Sequence, residues 1–312
     1  MKDLGVLVPI VTPCSPAGEI DIEGTQAVCQ EMLDTGNSSI FVMGSTGRGP
    51  WFSREDRVAV CSVVADWIGP DVPLYAGCLA NGIKDMVNHA AALKDAGAQF
   101  AVITAPGYFK YDSKEIENIL FQFADKSPLP VLLYDIPVFT GAKLDIDSIL
   151  WLMQHENIVG LKDSSADFSR FKEMLSIMKK FKDKFLLQGK EHLLAESLEA
   201  GASGLVSTFS HFHPRPFVAL FEASRNGDYE LVHLLQEKIT RMYELVVQCY
   251  EKQPQISTLF HIVNITLRHR GTCKNIMLEH ETDCPQWLEA EALGVIDICN
   301  EANDIISNWE KK

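Results

Sequence analysis

A lysine at the end of a short apolar run, Lys162, is the residue whose position in this sequence first suggests chemistry. Residues 158–161 read Ile-Val-Gly-Leu, and Asp-Ser-Ser follows the lysine. Such a run suits a strand buried on both faces of a parallel sheet, where a charged ammonium is costly unless it is paired or loses its proton. A lone lysine there more often caps the strand at the surface, so its meaning depends on the residues around it.

Two other apolar runs end in residues that could act together with this lysine. One is followed by Gly44-Ser45-Thr46-Gly47, where two hydroxyls and the adjacent backbone N–H groups make a small cradle suited to a carboxylate. Another ends in Tyr134, whose phenol could carry protons. Taken singly, a Ser-Thr turn between glycines and a buried tyrosine are ordinary structural features.

Eight short apolar runs, each followed by a segment with helical periodicity, predict the elements that would position these residues. The runs cover residues 6–11, 39–43, 74–77, 100–104, 131–134, 158–161, 185–188 and 204–207. Strands that alternate with helices indicate a parallel sheet, and eight of them indicate an α/β fold of the (β/α)8 TIM-barrel type. Catalytic groups of such barrels lie at the C-terminal ends of the strands. Neighbouring strands five and six would therefore bring Tyr134 and Lys162 side by side.

The strand signal fades after the eighth run, while helical periodicity continues through residues 217–224 and 229–250. Asn226-Gly227-Asp228 is a clear turn between these two segments. No Pro/Gly/Ser-rich linker or low-complexity stretch separates the later residues from the rest. We therefore predict a barrel catalytic domain over residues 1–225 and a C-terminal helical extension over residues 226–312 that packs on it.

Composition and charge narrow the classes of partner. The 312 residues carry a formal charge of −14 without a basic cluster, which argues against nucleic acid and anionic membrane surfaces. No window approaches the roughly 20 apolar residues of a membrane span. The eight cysteines are dispersed without a Cys-x-x-Cys pair, which predicts reduced thiols in a cytoplasmic protein. His211 and His213 lack a third ligand at a sensible spacing, so no metal site is predicted.

The lysine, the tyrosine and the hydroxyl cradle together suit one kind of chemistry. Burial lowers the pKa of a lysine, and the neutral amine can attack a ketone carbonyl to form an iminium. The iminium accepts the electrons released when a neighbouring carbon–carbon bond breaks, while a tyrosine moves protons. The cradle would hold the carboxylate of a 2-oxo acid. These features predict a class I pyruvate aldolase that uses its own lysine and no separate cofactor.

The chain also resembles the dihydrodipicolinate synthase / N-acetylneuraminate lyase family over essentially all of its length. The matching motifs, in order, lie at residues 5–13 (Gly-x-x-x-Pro-x-x-Thr-Pro), 44–47, 73–77, 97–98, 106–108, 134–137, 160–164, 189 and 201–207. The resemblance implies that Lys162 forms the Schiff base, that Tyr134 transfers protons, and that Ser45 and Thr46 bind the carboxylate. It also implies that Tyr108 reaches the site of a neighbouring subunit in a homotetramer, a dimer of dimers.

Other positions suggested by the resemblance concern the rest of the substrate. Gly189, Glu191, Val206 and Phe139 are candidate substrate-binding residues. The synthase branch of the family has an arginine at the position of Phe139, where its guanidinium holds a substrate carboxylate. An apolar ring cannot replace that bidentate fork, so Phe139 argues against dihydrodipicolinate synthesis.

Two further departures from the family pattern fall at the mouth of the site. Arg48 stands where the family usually has Glu, and Gly107 stands where it often has an aromatic residue. Residues 189–192, Gly-Lys-Glu-His, occupy the place of the acidic groups that bind the sugar tail in sialic acid lyases. Lys190 or Glu191 could bind hydroxyls or an acid group of such a tail.

The leading hypothesis is a Schiff-base lyase that cleaves pyruvate from its substrate, or condenses pyruvate with an aldehyde. The expected substrate is a 2-oxo-3-deoxy sugar acid or a sialic-acid-like compound. One alternative is 4-hydroxy-tetrahydrodipicolinate (dihydrodipicolinate) synthase. A second is a sugar-acid dehydratase that uses the same lysine, and a third is a non-catalytic barrel that binds a 2-oxo acid.

Overall fold

The eight apolar runs form a closed barrel of parallel strands in the computed structural model, which describes residues 3–281 and 283–311. The strands are β1 (Gly5–Pro9), β2 (Ser39–Val42), β3 (Leu74–Gly77), β4 (Phe100–Thr104), β5 (Val131–Asp135), β6 (Ile158–Asp163), β7 (Phe185–Gln188) and β8 (Gly204–Leu205). They pair in chain order, and β8 closes the barrel on β1. The predicted TIM barrel is confirmed. β6 extends two residues beyond the predicted run, so Lys162 lies within the strand.

Helices follow the strands around the outside of the barrel. They are α1 (Ile22–Asp34), α2 (Arg54–Ile68), α3 (Ile83–Asp95), α4 (Ser113–Lys126), α5 (Pro137–Thr140), α6 (Ile146–Leu152), α7 (Phe168–Met178), α8 (Leu194–Glu199), α9 (Arg215–Asn226), α10 (Tyr229–Lys252), α11 (Ile256–Arg270) and α12 (Gln286–Trp309). The α5 helix is a single short turn directly after β5. It is one of the segments that form the mouth of the barrel.

Local capping signals explain where several of these helices begin. The Ser53 hydroxyl accepts a hydrogen bond from the Asp56 backbone N–H, and the Asp56 side chain bonds back to Ser53, so a capping box starts α2. Asp112 and Glu115 make the same arrangement at α4. The segment after β7 does not begin directly as an α-helix. It opens as a 3-10 turn, which holds Glu191 at the end of the barrel before α8 begins.

Two apolar layers hold the fold together. The inner layer fills the barrel with side chains that include Phe41, Tyr75, Leu132 and Leu187. Tyr75 stacks on Phe100 inside the barrel, with ring centroids 4.4 Å apart. The outer layer lies between the strands and the ring of helices and continues into the helices that follow α9. This double packing supports the strand ends from both sides, as TIM barrels require.

The helices after α9 pack against the barrel ring and one another. α10 lies against α9 and α12, and α11 lies against α12. The Trp309 indole N–H donates to the Asp228 carboxylate at 2.6 Å, which joins the end of α12 to the start of α10. The division of the chain at residue 225 stays a prediction. None of the helices in the described part of the chain has both the length and the apolar character of a membrane span.

Candidate active site

Lys162 and Tyr134 lie side by side at the C-terminal end of the barrel. The two residues are direct partners in the register of β5 and β6. Lys162 is 5% exposed, and its Nζ lies 3.8 Å from the centroid of the Tyr134 ring. The same Nζ lies 5.5 Å from the centroid of Phe41, which comes from β2. The amine is therefore enclosed largely by aromatic rings.

This enclosure changes the proton affinity of both groups. Burial lowers the pKa of Lys162 to about 7, although Glu191 opposes that shift, and the charge of Lys190 lowers the pKa further. Burial raises the pKa of Tyr134 to about 12, while its hydrogen bonds with the Ser164 and Ser45 hydroxyls lower it in part. Near neutral pH a substantial part of Lys162 is thus an uncharged amine. Tyr134 keeps its proton and is joined to two hydroxyls.

Ser45 and Thr46 lie in the tight turn that follows β2, and both line the same cavity as Tyr134. The Thr46 hydroxyl lies 2.7 Å from the Thr208 hydroxyl, which comes from the turn after β8. The turn contains two non-glycine residues in the left-handed region, Met43 at φ 54° and Arg48 at φ 53°. Such backbone conformations are unfavourable and are common at functional sites. The turn presents a row of hydroxyls to the cavity.

Gly189 makes room for the amine. A Cβ atom at this position would lie 2.3 Å from Ser164 Oγ and 3.1 Å from Lys162 Cε. Only a residue without a side chain therefore fits between β6 and β7 at this point. The sequence predicts that Gly189 contacts the substrate. In the structure Gly189 lies in the cavity wall and packs closely against the side chain of Lys162.

A buried ion cluster lies behind the two central residues. Asp135 and Asp163 follow Tyr134 and Lys162 directly, and the guanidinium of Arg170, from α7, donates to both carboxylates at 2.6 and 3.0 Å. The same guanidinium donates to the Leu144 carbonyl at 2.6 Å. Burial raises the pKa of Asp163 to about 6, and Arg170 opposes the shift. Arg170 thereby fixes the ends of β5 and β6 relative to each other.

A cavity of about 780 Å3 opens above these residues. Its outer wall includes Tyr243 and Val246 from α10 and Leu259 and Phe260 from α11, so the C-terminal helices complete it. The size and the mixed polar and apolar lining are typical of a site for a small organic molecule.

Two acidic side chains belong to the cavity wall and have fixed partners. The Ser207 hydroxyl donates to the Glu191 carboxylate at 3.0 Å, and burial raises the pKa of Glu191. Glu281 forms a buried ion pair with Arg48, whose guanidinium carbon lies 3.9 Å from the centroid of the Phe260 ring. Arg48, one of the departures from the family pattern, is thus bound to the C-terminal part of the chain.

The remaining predicted residues occupy different parts of the site. Tyr108 and Phe139 lie at the mouth, 79% and 53% exposed, and both line the cavity. Val206 is buried in the apolar interior of the barrel with Phe41 and Leu187 and is not among the residues that line the cavity. The structure therefore brings together the predicted residues except Val206, which lies beneath them.

Sequence reasoning missed Arg170 and Thr208. Two carboxylates directly after buried strands need a cation, and this requirement could have directed attention to Arg170 at the start of the next helix. Thr208 follows the eighth strand, which closes on the first, so its hydroxyl could have been placed near the turn after β2.

His211 accepts a hydrogen bond from the Val11 N–H at 3.1 Å and lies 2.9 Å from the Thr208 carbonyl through its other ring nitrogen. Within the described part of the chain, no group of three or more His, Cys, Asp or Glu side chains forms a metal-binding arrangement.

A parallel eight-stranded barrel with a buried, low-pKa lysine beside a tyrosine at its C-terminal end has the features of the Schiff-base aldolase class. Residues 2–291 match the model of the dihydrodipicolinate synthetase family. The chain belongs to this family. Its members are pyruvate-dependent lyases and aldolases that form a lysine Schiff base, and the prediction of an enzyme of this class is confirmed.

Individual relatives agree with this assignment. The chain is 27% identical over 252 residues to a 4-hydroxy-tetrahydrodipicolinate synthase of Methanospirillum hungatei, covering 80% of this chain and 85% of the relative. The dihydrodipicolinate synthase of Bacteroides thetaiotaomicron superposes with a TM-score of 0.85 at 26% identity, over 94% of this chain and 97% of the other. The Clostridium difficile protein CdNal, solved with mannosamine, gives a TM-score of 0.85 at 18% identity, over 95% and 99% of the two chains. The last similarity concerns the fold alone.

Proposed function

We propose that this protein cleaves a 2-oxo acid into pyruvate and an aldehyde, or catalyses the reverse condensation, through a Schiff base on Lys162. The observation that carries the proposal is the position of the Lys162 amine, buried against Tyr134 in the register of β5 and β6 with a pKa of about 7. A neutral amine in an apolar setting is the form that attacks a ketone. The hydroxyls of Ser45 and Thr46 are the proposed site for the carboxylate of the 2-oxo acid.

The proposed reaction begins when the Lys162 amine adds to the C2 carbonyl and the resulting carbinolamine loses water to form an iminium. The C4 hydroxyl then gives up its proton, the C3–C4 bond breaks, and its electron pair moves toward the iminium to form an enamine. The aldehyde leaves, C3 takes up a proton, and water hydrolyses the iminium to release pyruvate and the free amine. Tyr134, joined to the hydroxyls of Ser45 and Ser164, is the proposed carrier of these protons.

The finer proposal for the substrate is a 2-oxo-3-deoxy sugar acid or a sialic-acid-like compound. A cavity of about 780 Å3 has room for more than pyruvate, and Glu191 and Lys190 line it on the β7 side. Dihydrodipicolinate synthesis is the nearest alternative. Phe139 at the mouth provides an apolar ring where that branch of the family has a guanidinium, and this argues against it. A dehydratase or a binding protein would use the same fold.

Assembly into a homotetramer is part of the proposal. Tyr108 and its neighbour Phe109 are 79% and 61% exposed at the mouth, and their rings contact each other edge to face at 4.9 Å. Exposed aromatic side chains next to a cavity favour contact with another protein surface. Light scattering with the Tyr108→Ala variant tests this: we expect a tetramer for the wild type and smaller species or a lower affinity between subunits for the variant. A monomeric, fully active wild type would contradict it.

The decisive experiment is reduction of the intermediate with borohydride in the presence of pyruvate, followed by peptide mass mapping. We expect a reduced three-carbon adduct on the peptide that contains Lys162, and none in Lys162→Ala. Lys180→Ala, which changes an exposed lysine, is the matched control and should be labelled like the wild type. Folded wild-type protein without an adduct would reject the Schiff-base mechanism and favour the non-catalytic barrel.

Product analysis then separates the remaining alternatives. A lyase releases pyruvate and an aldehyde from a 2-oxo-3-deoxy acid, whereas a dehydratase releases water and leaves the carbon chain intact. A panel of aldehydes with pyruvate, including aspartate semialdehyde, tests the synthase alternative. If the semialdehyde were the best partner, the argument from Phe139 would be wrong.

A further inference from the structure

Lys190 is a basic side chain of the cavity wall. It follows Gly189 directly after β7 and lines the cavity, and its backbone N–H donates to the Gln188 side chain at 2.9 Å. The residue is half-buried. Within residues 3–281 and 283–311, no carboxylate lies within ion-pairing distance of its ammonium. The cavity therefore contains a cation whose charge is not balanced by direct contact.

Two other charged side chains of the cavity wall, Glu191 and Arg48, are held by other groups. The Glu191 carboxylate accepts a hydrogen bond from Ser207 at 3.0 Å, and its carbonyl accepts one from the Gln236 side chain at 3.0 Å. The charge of Lys190 acts on Glu191 through space, where it opposes the rise in the pKa of that carboxyl. Arg48, the other basic residue among those that line the cavity, is buried and paired with Glu281. Among the described residues that line the cavity, the Lys190 ammonium is thus a cation without an ion-pair partner and can bind a ligand.

The position of Lys190 is also suited to the part of the substrate that leaves as the aldehyde. The carboxylate of the 2-oxo acid is assigned to Ser45 and Thr46, in the turn after β2, and β8 and β1 separate that turn from β7. The amine that forms the Schiff base comes from β6, next to β7. A substrate attached to Lys162 with one end at β2 can therefore extend its other end toward Lys190.

We propose that Lys190 binds an acid group, a carboxylate or a phosphate, at the far end of the aldehyde, so that the complete substrate is a 2-oxo acid with two anionic ends. An ammonium in a partly buried wall is stabilised by an anion, and a charge-assisted hydrogen bond is stronger than a neutral one. Tyr243 and Val246 of α10 line the same cavity and would contact the apolar part of such a molecule. This inference rests on the proposed aldolase function and adds the substrate class.

The test compares aldehydes that differ in the acid group. Pyruvate is condensed with 4-oxobutanoate or butanal, and with glyceraldehyde 3-phosphate or glyceraldehyde, and kcat/KM is measured for each. We expect the wild type to prefer the anionic member of at least one pair by tenfold or more, and the pair with the larger ratio identifies carboxylate or phosphate. Equal values within both pairs would overturn the inference.

Variants of Lys190 show whether this residue is responsible. Lys190→Gln should lose the preference, Lys190→Glu should reverse it toward the neutral aldehyde, and Lys190→Arg should keep it. Lys84→Gln removes an exposed lysine on α3 and is the control for net charge, so it should behave like the wild type. A Lys190→Gln variant that retains the preference would overturn the assignment.

Pyruvate trapping keeps this test separate from that of the aldolase function. Lys190→Gln should still form the reduced pyruvate adduct on Lys162, with the pH profile of trapping moved to higher pH, because the Lys190 charge that lowers the pKa of Lys162 is gone. Absence of the adduct from the wild type would instead reject the aldolase proposal. If neither aldehyde of a pair reacts, calorimetric titration of both into the reduced pyruvate adduct replaces the rate measurement, and equal affinities overturn the inference.

Discussion

The inner and outer halves of the cavity are built on different principles. The inner half consists of strand-end residues that are buried and joined to one another, as in the contact of Lys162 with Tyr134 and the pair of hydroxyls on Thr46 and Thr208. The outer half is formed by short loops and by helices from the C-terminal part of the chain. Its rim carries Trp51, Tyr108 and Val138, which are 59%, 79% and 70% exposed.

The comparison suggests that the inner half of the cavity carries out the reaction and that the outer half recognises the variable part of the substrate. A Schiff-base reaction needs the amine, the phenol and the carboxylate site in constant geometry, which packed strands provide. In the proposed reaction, recognition of the aldehyde would depend on loops and helices, which can change without disturbing the barrel. We expect changes in the inner half to affect every substrate and changes in the outer half to affect the aldehyde alone.

Removal of Arg170 should have the largest effect, because it destabilises the strand ends that form the inner half of the cavity. In Arg170→Leu, Asp135 and Asp163 remain buried without their cation, and the free energy of unfolding should fall by about 3–5 kcal/mol at pH 7.5. Protonation relieves two unpaired buried carboxylates, so the loss should be smaller at pH 5. Urea denaturation at both pH values measures it. The control, Arg241→Leu, removes an exposed ion pair with Glu301 and should cost less than about 1 kcal/mol. Equal losses in both variants would contradict the role of the buried cluster.

A methyl group at Gly189 should displace the side chain of Lys162. In Gly189→Ala the new Cβ meets Ser164 Oγ at 2.3 Å and Lys162 Cε at 3.1 Å, so we expect kcat/KM to fall by about 100-fold for every aldehyde. Gly82→Ala introduces a methyl group into open space at the start of α3 and is the matched control. Pyruvate trapping and steady-state kinetics test both variants. Wild-type kinetics in Gly189→Ala would show that the wall tolerates a side chain.

Replacement of Lys162 should make the protein more stable while abolishing trapping. The pKa of Lys162 is about 7 in the fold and near 10.5 when unfolded, so the unfolded chain binds more protons between these values and stability rises with pH there. Lys162→Met should therefore raise the free energy of unfolding by at least about 2 kcal/mol at pH 7. The gain should shrink as the pH approaches 10. Denaturation curves at pH 7 and pH 10 measure the difference, and a gain that did not depend on pH would contradict a buried amine.

The smallest expected effect concerns the outer half. Phe139→Ala shortens an exposed ring at the mouth and should change kcat/KM for aldehydes by about threefold, since the contact it removes is partly solvated. The rate of pyruvate trapping on Lys162 should stay unchanged. Single-turnover trapping and steady-state condensation separate these two quantities. A parallel drop in both would mean that the two halves are not independent.

The sequence predicts the inner half better than the outer half for a physical reason. Strand ends follow from local apolar runs, and neighbouring strands of a barrel bring Tyr134 and Lys162 together without further information. The outer wall is different, because Val246 and Leu259 have the pattern of any helix that packs on a core. The partner of Arg48 lies 233 residues away, at Glu281. Contacts of this kind depend on how distant elements pack, which periodicity does not reveal.

The bounds of a strand and the direction of its side chains are predicted less exactly than its existence, as β8 shows. β8 is only two residues long, although the apolar run predicted four, because the chain turns after Leu205 into the segment that carries Ser207 and Thr208. Val206, a predicted substrate contact, consequently points into the barrel interior among apolar side chains. A strand of alternating faces places one residue in the core and the next toward the outer layer, and the run alone does not reveal which one reaches the cavity.

The Arg48–Glu281 ion pair has a consequence for how the enzyme matures during synthesis. Ribosomes deliver the chain from its N-terminus, and the first part to emerge folds first. A nascent chain long enough to form all eight strands already carries Lys162, Tyr134 and the turn of Ser45, but not the partner that neutralises Arg48. Arg48 and Glu281 both line the cavity, so the cavity is complete only after the segment that ends at Glu281 has docked. We therefore expect full activity to appear late in synthesis, after the eight strands have formed.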